Sequence, residues 1–390
     1  MARRVVIASV VRTPFARAPR GELKDTRPDT LAAWVIRKAV EAVPGLSAAE
    51  IDDVIMGCAM PEGEQGMNVA RIAAVLAGLP VEVPAITINR FCSSGVQSIA
   101  MAAQSIALGQ TEVAVAGGTE SMSMVPMGGY KPSANPELMA SHPEIYTAMG
   151  ATAEIVAARF GVSRDDQDVF AYESQRRAAV AKEKGYLAQE IAPMEVTLHD
   201  AAGRPQQVQL ATDTILRPDT TLDGLRSLKA AFKAGGTVTA GNASPLTDGA
   251  AAAVVMSEDK ARALGITPLG AFLDFQVAGV PPEIMGTGPV PAIRKLLARN
   301  GLSVADIDVF ELNEAFAAQA LYCVRELGLD PAKVNPNGGA IALGHPLGVS
   351  GTRMTGALLR QLRRTGGKLG VVSMCIGGGM GAAALFTTEP

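Results

Sequence analysis

Short, almost wholly apolar runs recur along the chain between longer stretches in which apolar residues return at every third or fourth position. Val5 to Val11 is the first such run. Val54-Ile55-Met56, Ala85-Ile86-Thr87-Ile88, Val113 to Ala116, Val309 to Leu312 and Leu369 to Met374 follow. Runs of this length, bounded by Gly, Pro and Asn, predict buried strands. Val96, Ile99, Ala100, Ala103, Ile106 and Ala107 keep helical spacing and predict a helix over 94–108. A second is predicted over 349–364, closed by Gly366-Gly367, and a third over Ala151–Arg159. A longer one is predicted over Arg164–Lys184, with Ser163 as its N-cap, Asp165, Asp166 and Asp168 in its first turn and Gly185 as its stop.

These elements repeat. Gly45-Leu46-Ser47-Ala48-Ala49-Glu50-Ile51-Asp52 returns as Gly301-Leu302-Ser303-Val304-Ala305-Asp306-Ile307-Asp308, a separation of 256 positions from Gly45 to Gly301. Each copy follows a helical pattern and precedes an apolar run. Asp248 to Val255 matches Met380 to Phe386, but Gly249 and Gly381 are only 132 positions apart. Two such pairs in one order indicate a duplication. The first copy then carries about 124 extra residues, the difference between those two separations. The second copy turns from its penultimate strand into its last through Gly377-Gly378-Gly379, whereas the first detours from Thr119 to Asn242. The chain therefore divides into a first α/β half (1–118 with 243–268), an inserted α+β loop domain (119–242) and a second half (269–390). Residues 121–147, rich in Met, Pro and Ser, predict an extended loop. The charged, short-stranded segment beyond Pro193 predicts a cover over the core.

Composition narrows the function. With 48% apolar and 19% charged residues the chain is globular, and a net charge of −3 gives no footing for nucleic acid. No apolar run nears the ~18 residues that span a bilayer. Arg3-Arg4 before Val5–Val11 imitates a signal peptide, but Arg12-Thr13-Pro14 follows in place of a cleavage site. Cys58, Cys92, Cys323 and Cys375 are too scattered for a disulfide framework and form no CxxC pair, so neither zinc nor an oxidising compartment is expected. The expected location is cytoplasmic.

Cys92 is the focal residue. It stands where the run Ala85–Ile88 gives way to Ser93-Ser94-Gly95 and a helix, so free N–H groups and the helix dipole are expected to favour its thiolate. His345, one of three histidines, lies between Gly344 and Pro346; Pro at a first helical position places it at a helix entrance in the second half. Alone it is either a structural histidine or a base. The duplication's two-fold can bring it face to face with Cys92, and a Cys and a His meeting this way form a nucleophile–base pair. Cys375 precedes the glycine turn 377–379, either as a buried apolar residue or as part of a site. That turn lies too near the end to open a dinucleotide-binding βαβ unit. Asn313-Glu314, between an apolar strand and an apolar helix, is either a cap or a site.

Four blocks now carry a family resemblance: Asn89–Gly95 around Cys92, Asn313-Glu314-Ala315-Phe316-Ala317, Gly338–Pro346 around His345, and Cys375–Gly381. Together with Arg12-Thr13-Pro14, Met149-Gly150, Gly241–Ser244 and Met285–Pro289, they resemble the signature blocks of thiolases over essentially the whole chain. The resemblance implies two βαβαβαββ halves in a five-layered α-β-α-β-α core, with a loop domain inserted in the first. It implies that Cys92 takes the acyl group of a 3-ketoacyl-CoA while His345 accepts its proton, and that Cys375 protonates the departing enolate. It implies one oxyanion hole from His345 and a water held by Asn313, and another from the backbone N–H groups of Cys92 and Gly377.

Coenzyme A would be a co-substrate rather than a resident cofactor. The resemblance puts Ser244, Arg217, Leu225 and Leu228 near it, with Met149, Met285, Ala315 and Phe316 also among the substrate contacts. Gly224 stands where some relatives have serine. Ala148 stands where acetoacetyl-CoA-specialised thiolases often have histidine, which points to degradative 3-ketoacyl-CoA thiolysis of the β-oxidation type, with an acetoacetyl-CoA-specific acetyltransferase as the alternative. A ketoacyl synthase would replace Cys375 with a second His or Asn and lack the long insertion. A non-catalytic acyl-CoA binder would need none of the three reactive residues. A homodimer or homotetramer, and a hydratase–dehydrogenase partner subunit, are the associations the resemblance suggests.

Overall fold

A computed structural model describes residues 3–200 and 202–389. Its first half runs β1 (Val5–Arg12), the two-residue β2 (Ala16–Arg17), α1 (Pro28–Glu41), β3 (Asp53–Gly57), α2 (Val69–Leu76), β4 (Ala85–Ile88), α3 (Ser94–Ala107) and β5 (Val113–Glu120). The insertion holds α4 (Pro136–Ser141), α5 (Met149–Arg159), α6 (Arg164–Glu183), the hairpin β6 (Met194–His199) and β7 (Pro205–Leu210), and α7 (Leu222–Arg226). Strand β8 (Thr247–Ser257) and α8 (Glu258–Ala263) complete the first half. The second is β9 (Gly270–Gly279), α9 (Pro289–Arg299), β10 (Val309–Leu312), α10 (Ala317–Leu327), α11 (Ala340–Leu343), α12 (Ser350–Thr365), β11 (Leu369–Ile376) and β12 (Met380–Thr387).

The duplication is visible in the sheet order, β10-β11-β12-β9-β1-β8-β5-β3-β4. Outward from its centre, β1-β8-β5-β3 and β9-β12-β11-β10 are the same succession. In each, the inner pairings are antiparallel and the outermost parallel. A three-residue antiparallel pairing, Val5↔Phe272 to Ile7↔Gly270, joins the halves. One apolar cluster holds α1 and α2 on the outer face of the first half-sheet, and another holds α9 and α10 on the outer face of the second. Between the sheets lie α3 and α12, sharing Val96, Ile99, Met354 and Leu358 with strands of both. The layers are therefore α-β-α-β-α. All eleven residues of β8 are buried, which is why that strand is a continuous apolar and alanine run rather than an alternating one.

Four expectations need correction. The second half lacks a third strand: Val334 makes a single parallel bridge to Phe310, and Asn335 replaces the rest of the ladder with its side chain. Its Oδ1 accepts from Leu312 N at 2.9 Å and its Nδ2 donates to Leu312 O at 2.8 Å. Segment 121–147 is not extended throughout, since Asn135 caps α4 and a 3₁₀ turn spans Pro143–Tyr146. The hairpin beyond Pro193 is not merely a cover over the core; Met194, Val196 and Leu210 pack into the outer cluster with α1 and belong to that core. Strand β5 runs to Glu120, two residues past the expected boundary. Helix α6 does have Ser163 in a capping box with Asp166, and Gly185 follows it with φ +72°. Asp168, however, is buried, paired with Arg164 at 2.6 Å and accepting from Asn242 Nδ2 at 2.9 Å.

The insertion is fastened to β1 by Arg12. This buried guanidinium donates to both oxygens of Asp213 at 2.6 and 2.9 Å and to Glu190 at 3.0 Å. The two carboxylates hold its pKa above the usual arginine value, against the opposing effect of burial. Arg12→Met would leave two buried carboxylates without a cation, so we expect it to cost about 3–5 kcal/mol. Urea unfolding measures this; a loss below about 1 kcal/mol, the size of an exposed ion pair, would contradict it.

Candidate active site

Cys92 sits in a 3₁₀ turn, Phe91–Ser93, between β4 and α3. Phe91 takes φ +43°, a conformation a bulky side chain rarely adopts, and it is held there at the residue before the candidate nucleophile. Asn89 Oδ1 accepts from Phe91 N at 2.8 Å, and Ser94 Oγ accepts from Arg90 N at 2.8 Å, bracing the turn. Across from it, β11 ends at Ile376, and Phe91 Cδ2 lies 3.8 Å from where a β-carbon on Gly377 would stand; the Gly377 N–H and Cys92's own N–H act on the Cys92 sulfur to lower its pKa. Cys375, fully buried, is the neighbouring thiol, and its pKa is pushed well up by burial and by Cys92.

The expectation of a ready thiolate is corrected here. Burial pushes the Cys92 thiol up to about 11; the two N–H groups pull it down and the Glu120 charge adds to the rise. Burial outweighs the donors, and α3 begins only at Ser94. Alkylation of Cys92 by iodoacetamide should therefore be slow at pH 7 and rise about tenfold per pH unit as the thiolate fraction grows. A plateau already reached near pH 7 would contradict this.

His345 is not at a helix entrance. Pro346 opens a separate turn, accepting at its carbonyl from Val349 N and Ser350 N at 3.0 and 3.1 Å, and α12 starts only at Ser350. Gly344 precedes His345 with φ +96°, and a β-carbon there would strike Ile215 and Thr247. Thr247 Oγ1 accepts from His345 N at 3.1 Å, fixing the backbone.

The ring is fixed too. Ser350 Oγ donates to Pro346 O at 3.0 Å, so it accepts from His345 Nδ1 at 2.6 Å. That assigns the proton to Nδ1 and leaves Nε2 as the acceptor, facing Asn313 Nδ2 at 3.2 Å. Burial, then the charge of Arg353, lowers the His345 pKa to about 3, so the resting ring is neutral. Asn313 Oδ1 is buried and has no protein partner, free for a bound molecule.

Beside Cys375 lies an apolar wall of Met149, Met285, Ala315 and Phe316, packed in one cluster with Ala243. Met149 Sδ comes 3.5 Å from where a β-carbon on Gly377 would stand. The chain just past the insertion is clamped to this wall: Ser244 donates from both N and Oγ to Ala315 O at 3.0 Å, and Ala243 bridges Phe316. Phe232 stands edge-on to Phe316, ring centres 5.9 Å apart, and borders a groove with α5. Leu225 is buried against Ala171, Ala317 and Ile341, and Leu228 is partly exposed. The Arg217 backbone N–H donates to Gln175 at 3.0 Å, on the α6 side of the insertion and apart from the cysteines.

Glu314 is no substrate group but a buried brace, accepting from Ser174, Asn335 and Ile341 N at 2.6, 2.8 and 3.2 Å. Ser350, Thr247, Glu120 and Phe232 escaped sequence reasoning. Each is a single residue whose partner comes from another element, with no spacing to reveal it. Cys58 and Cys323 are buried residues outside the cluster of reactive groups. Among the described residues, no group of three or more His, Cys, Asp or Glu is set to hold a metal ion, and no helix is long and apolar enough to cross a membrane.

Comparison with known proteins identifies the family and the fold. The family model for the thiolase N-terminal domain matches residues 5–259, and that for the thiolase C-terminal domain matches 266–388. A 3-ketoacyl-CoA thiolase of Bacillus subtilis is 52% identical over 388 residues, covering 98% of this chain and 99% of that one. A beta-ketoadipyl-CoA thiolase of Acinetobacter baylyi is 47% identical, covering 97% and 98%. The crystal structure of the Bacillus anthracis acetyl-CoA acetyltransferase superposes with a TM-score of 0.89 at 41% identity, covering 99% of each chain.

Proposed function

The chain belongs to the thiolase family, whose members are acyltransferases with CoA as substrate, and we propose that it cleaves 3-ketoacyl-CoA thioesters to acetyl-CoA and a shortened acyl-CoA. The observation that carries this reading is the convergence on Cys92 of the Gly377 N–H and the neighbouring Cys375, with a neutral His345 aligned by Ser350 and Asn313.

In the proposed cycle, His345 Nε2 takes the Cys92 proton as sulfur adds to the 3-keto carbon. The N–H groups of Cys92 and Gly377 receive the negative oxygen of that adduct. Its collapse breaks the bond between C2 and C3 and leaves the electron pair on the acetyl-CoA enolate. Protonated His345 and a water on Asn313 Oδ1 steady the enolate oxygen. Cys375 gives C2 its proton, and acetyl-CoA departs. The Cys375 thiolate then takes the proton of incoming CoA, whose sulfur attacks the Cys92 thioester. Cys92 leaves as thiolate and recovers its proton from His345. Both high-pKa thiols suit the cycle, since each is protonated at rest. In reverse the same groups perform a Claisen condensation.

Broad chain-length use in fatty-acid β-oxidation is the favoured role, supported by Ala148 and by the relatives named 3-ketoacyl-CoA thiolase. The likeness to the Bacillus anthracis acetyl-CoA acetyltransferase supports the alternative, a preference for acetoacetyl-CoA. Turnover of 3-ketooctanoyl-CoA against acetoacetyl-CoA decides between them. Comparable or faster cleavage of the C8 substrate is expected, and cleavage of the C4 substrate alone would overturn the assignment.

We also place the enzyme in the cytoplasm as a homo-oligomer. Among the described residues, β4 pairs only with β3, and Met67 and Ile86 are exposed beside that open edge. A monomer by light scattering at micromolar concentration would oppose that association.

A further inference from the structure

Glu120 ends β5 at the seam between the two halves and is 1% exposed. Its Oε2 accepts from Ala59 N and Gly348 N, each at 2.8 Å. Its Oε1 accepts from Met60 N at 3.2 Å and Gln65 Nε2 at 2.9 Å, with the Cys58 thiol 3.7 Å away. Every group facing it is a donor, and these donors oppose the rise that burial imposes on its pKa.

These donors come from the two places that matter for the reaction. Gly348 lies in the turn that carries His345. Ala59 and Met60 follow β3 and pack in one cluster with Cys92 and Phe91. The seam has no slack. A β-carbon on Gly348 would stand 2.9 Å from Cys58 Cα, Glu120 Oε2 and Gly57 O. The Gly348 carbonyl in turn nests against Gly57, Gly95 and Gly118, where β-carbons would collide with it.

We propose that Glu120 is a positioning residue, its carboxylate tying the His345 turn of one half to the segment beneath Cys92 in the other. This rests on the assignment of Cys92 as nucleophile and His345 as base. The Glu120 charge also adds to the rise of the Cys92 pKa; the other titratable groups around this seam are Cys58, 3.7 Å from Glu120, Cys375, which neighbours Cys92, and the base His345.

The test uses the full chain with Glu120→Gln. Glutamine keeps the shape but turns an amide NH₂ toward donors, so one side of the seam loses its acceptor. Thiolysis of acetoacetyl-CoA should show kcat lowered about 10- to 100-fold, the scale of a small misplacement of reacting groups. KM for CoA should change less than about twofold, since CoA contacts are untouched. The pH profile of Cys92 alkylation should move to lower pH, because a facing negative charge is gone. A purely structural loss would leave that profile in place or move it upward as Cys92 lost the Gly377 N–H.

Glu120→Asp keeps the charge and shortens the reach, so it should lower kcat without the downward shift. It also decides the matter if Glu120→Gln does not fold. A folded Glu120→Gln with kcat within about twofold of the parent, or an alkylation profile that does not move down, overturns the inference. So does a Glu120→Asp with parental kcat. Failure of the parent itself to acetylate Cys92 from acetyl-CoA would instead remove the reading beneath it.

Discussion

Cys92→Ser should lower thiolysis by roughly four orders of magnitude or more, the scale of removing a nucleophile from a nucleophile–base pair. The protein should fold normally. Serine is smaller than cysteine, and the turn around it is held by Asn89 and Ser94 rather than by the sulfur. What is lost is chemistry. A hydroxyl is far harder to ionise than a thiol, and burial has already raised the thiol to about 11. A neutral His345 with a pKa near 3 is a weak base that can serve only as the thiol attacks, aided by the N–H groups of Cys92 and Gly377. Steady-state thiolysis of acetoacetyl-CoA measures the loss. A serine variant within about a hundredfold of the parent would mean that Cys92 does not form the covalent bond.

Cys375→Ser should separate the two half-reactions. Acyl transfer to Cys92 from an acyl-CoA moves no proton at C2 and needs Cys375 only to protonate the departing CoA thiolate, a far weaker base than an enolate carbon, so labelling of Cys92 should persist and fall much less than cleavage. Cleavage and condensation both need that proton moved, and each should fall about 10²- to 10⁴-fold, the usual contribution of a placed acid or base. Exchange of acetyl-CoA methyl protons with deuterated water isolates the step and should fall in parallel. Equal losses of labelling and cleavage in both cysteine variants would contradict the division of labour between them.

Much of this architecture was legible in the chain. The strands were visible because strands buried on both faces leave unbroken apolar runs. The duplication was visible because the Gly-Leu-Ser capping turns of Gly45–Asp52 and Gly301–Asp308 keep their spacing. Cys92 and Cys375 announced themselves through turn residues at the ends of those strands, and His345 through the Gly344 and Pro346 that flank it. What misled was local. The hairpin over Met194–Leu210 looked like a cover because its outward side chains are polar, while Met194, Val196 and Leu210 turn inward at a period of two. Pro346 pointed to a helix, yet it starts a turn whose carbonyl holds Ser350, and that displacement is what brings Ser350 under the imidazole. The thiolate expectation weighed the helix end without the burial that opposes it. Glu120 could not have been found, since its donors lie up to 228 positions away.

Mass spectrometry of the intact protein after incubation with acetyl-CoA, followed by peptide mapping, tests the central claim most directly. The account predicts one acetyl group per chain, on Cys92, removed by added CoA and absent in Cys92→Ser. An unmodified chain, or acetylation at Cys375 or another residue with Cys92 left free, would contradict it.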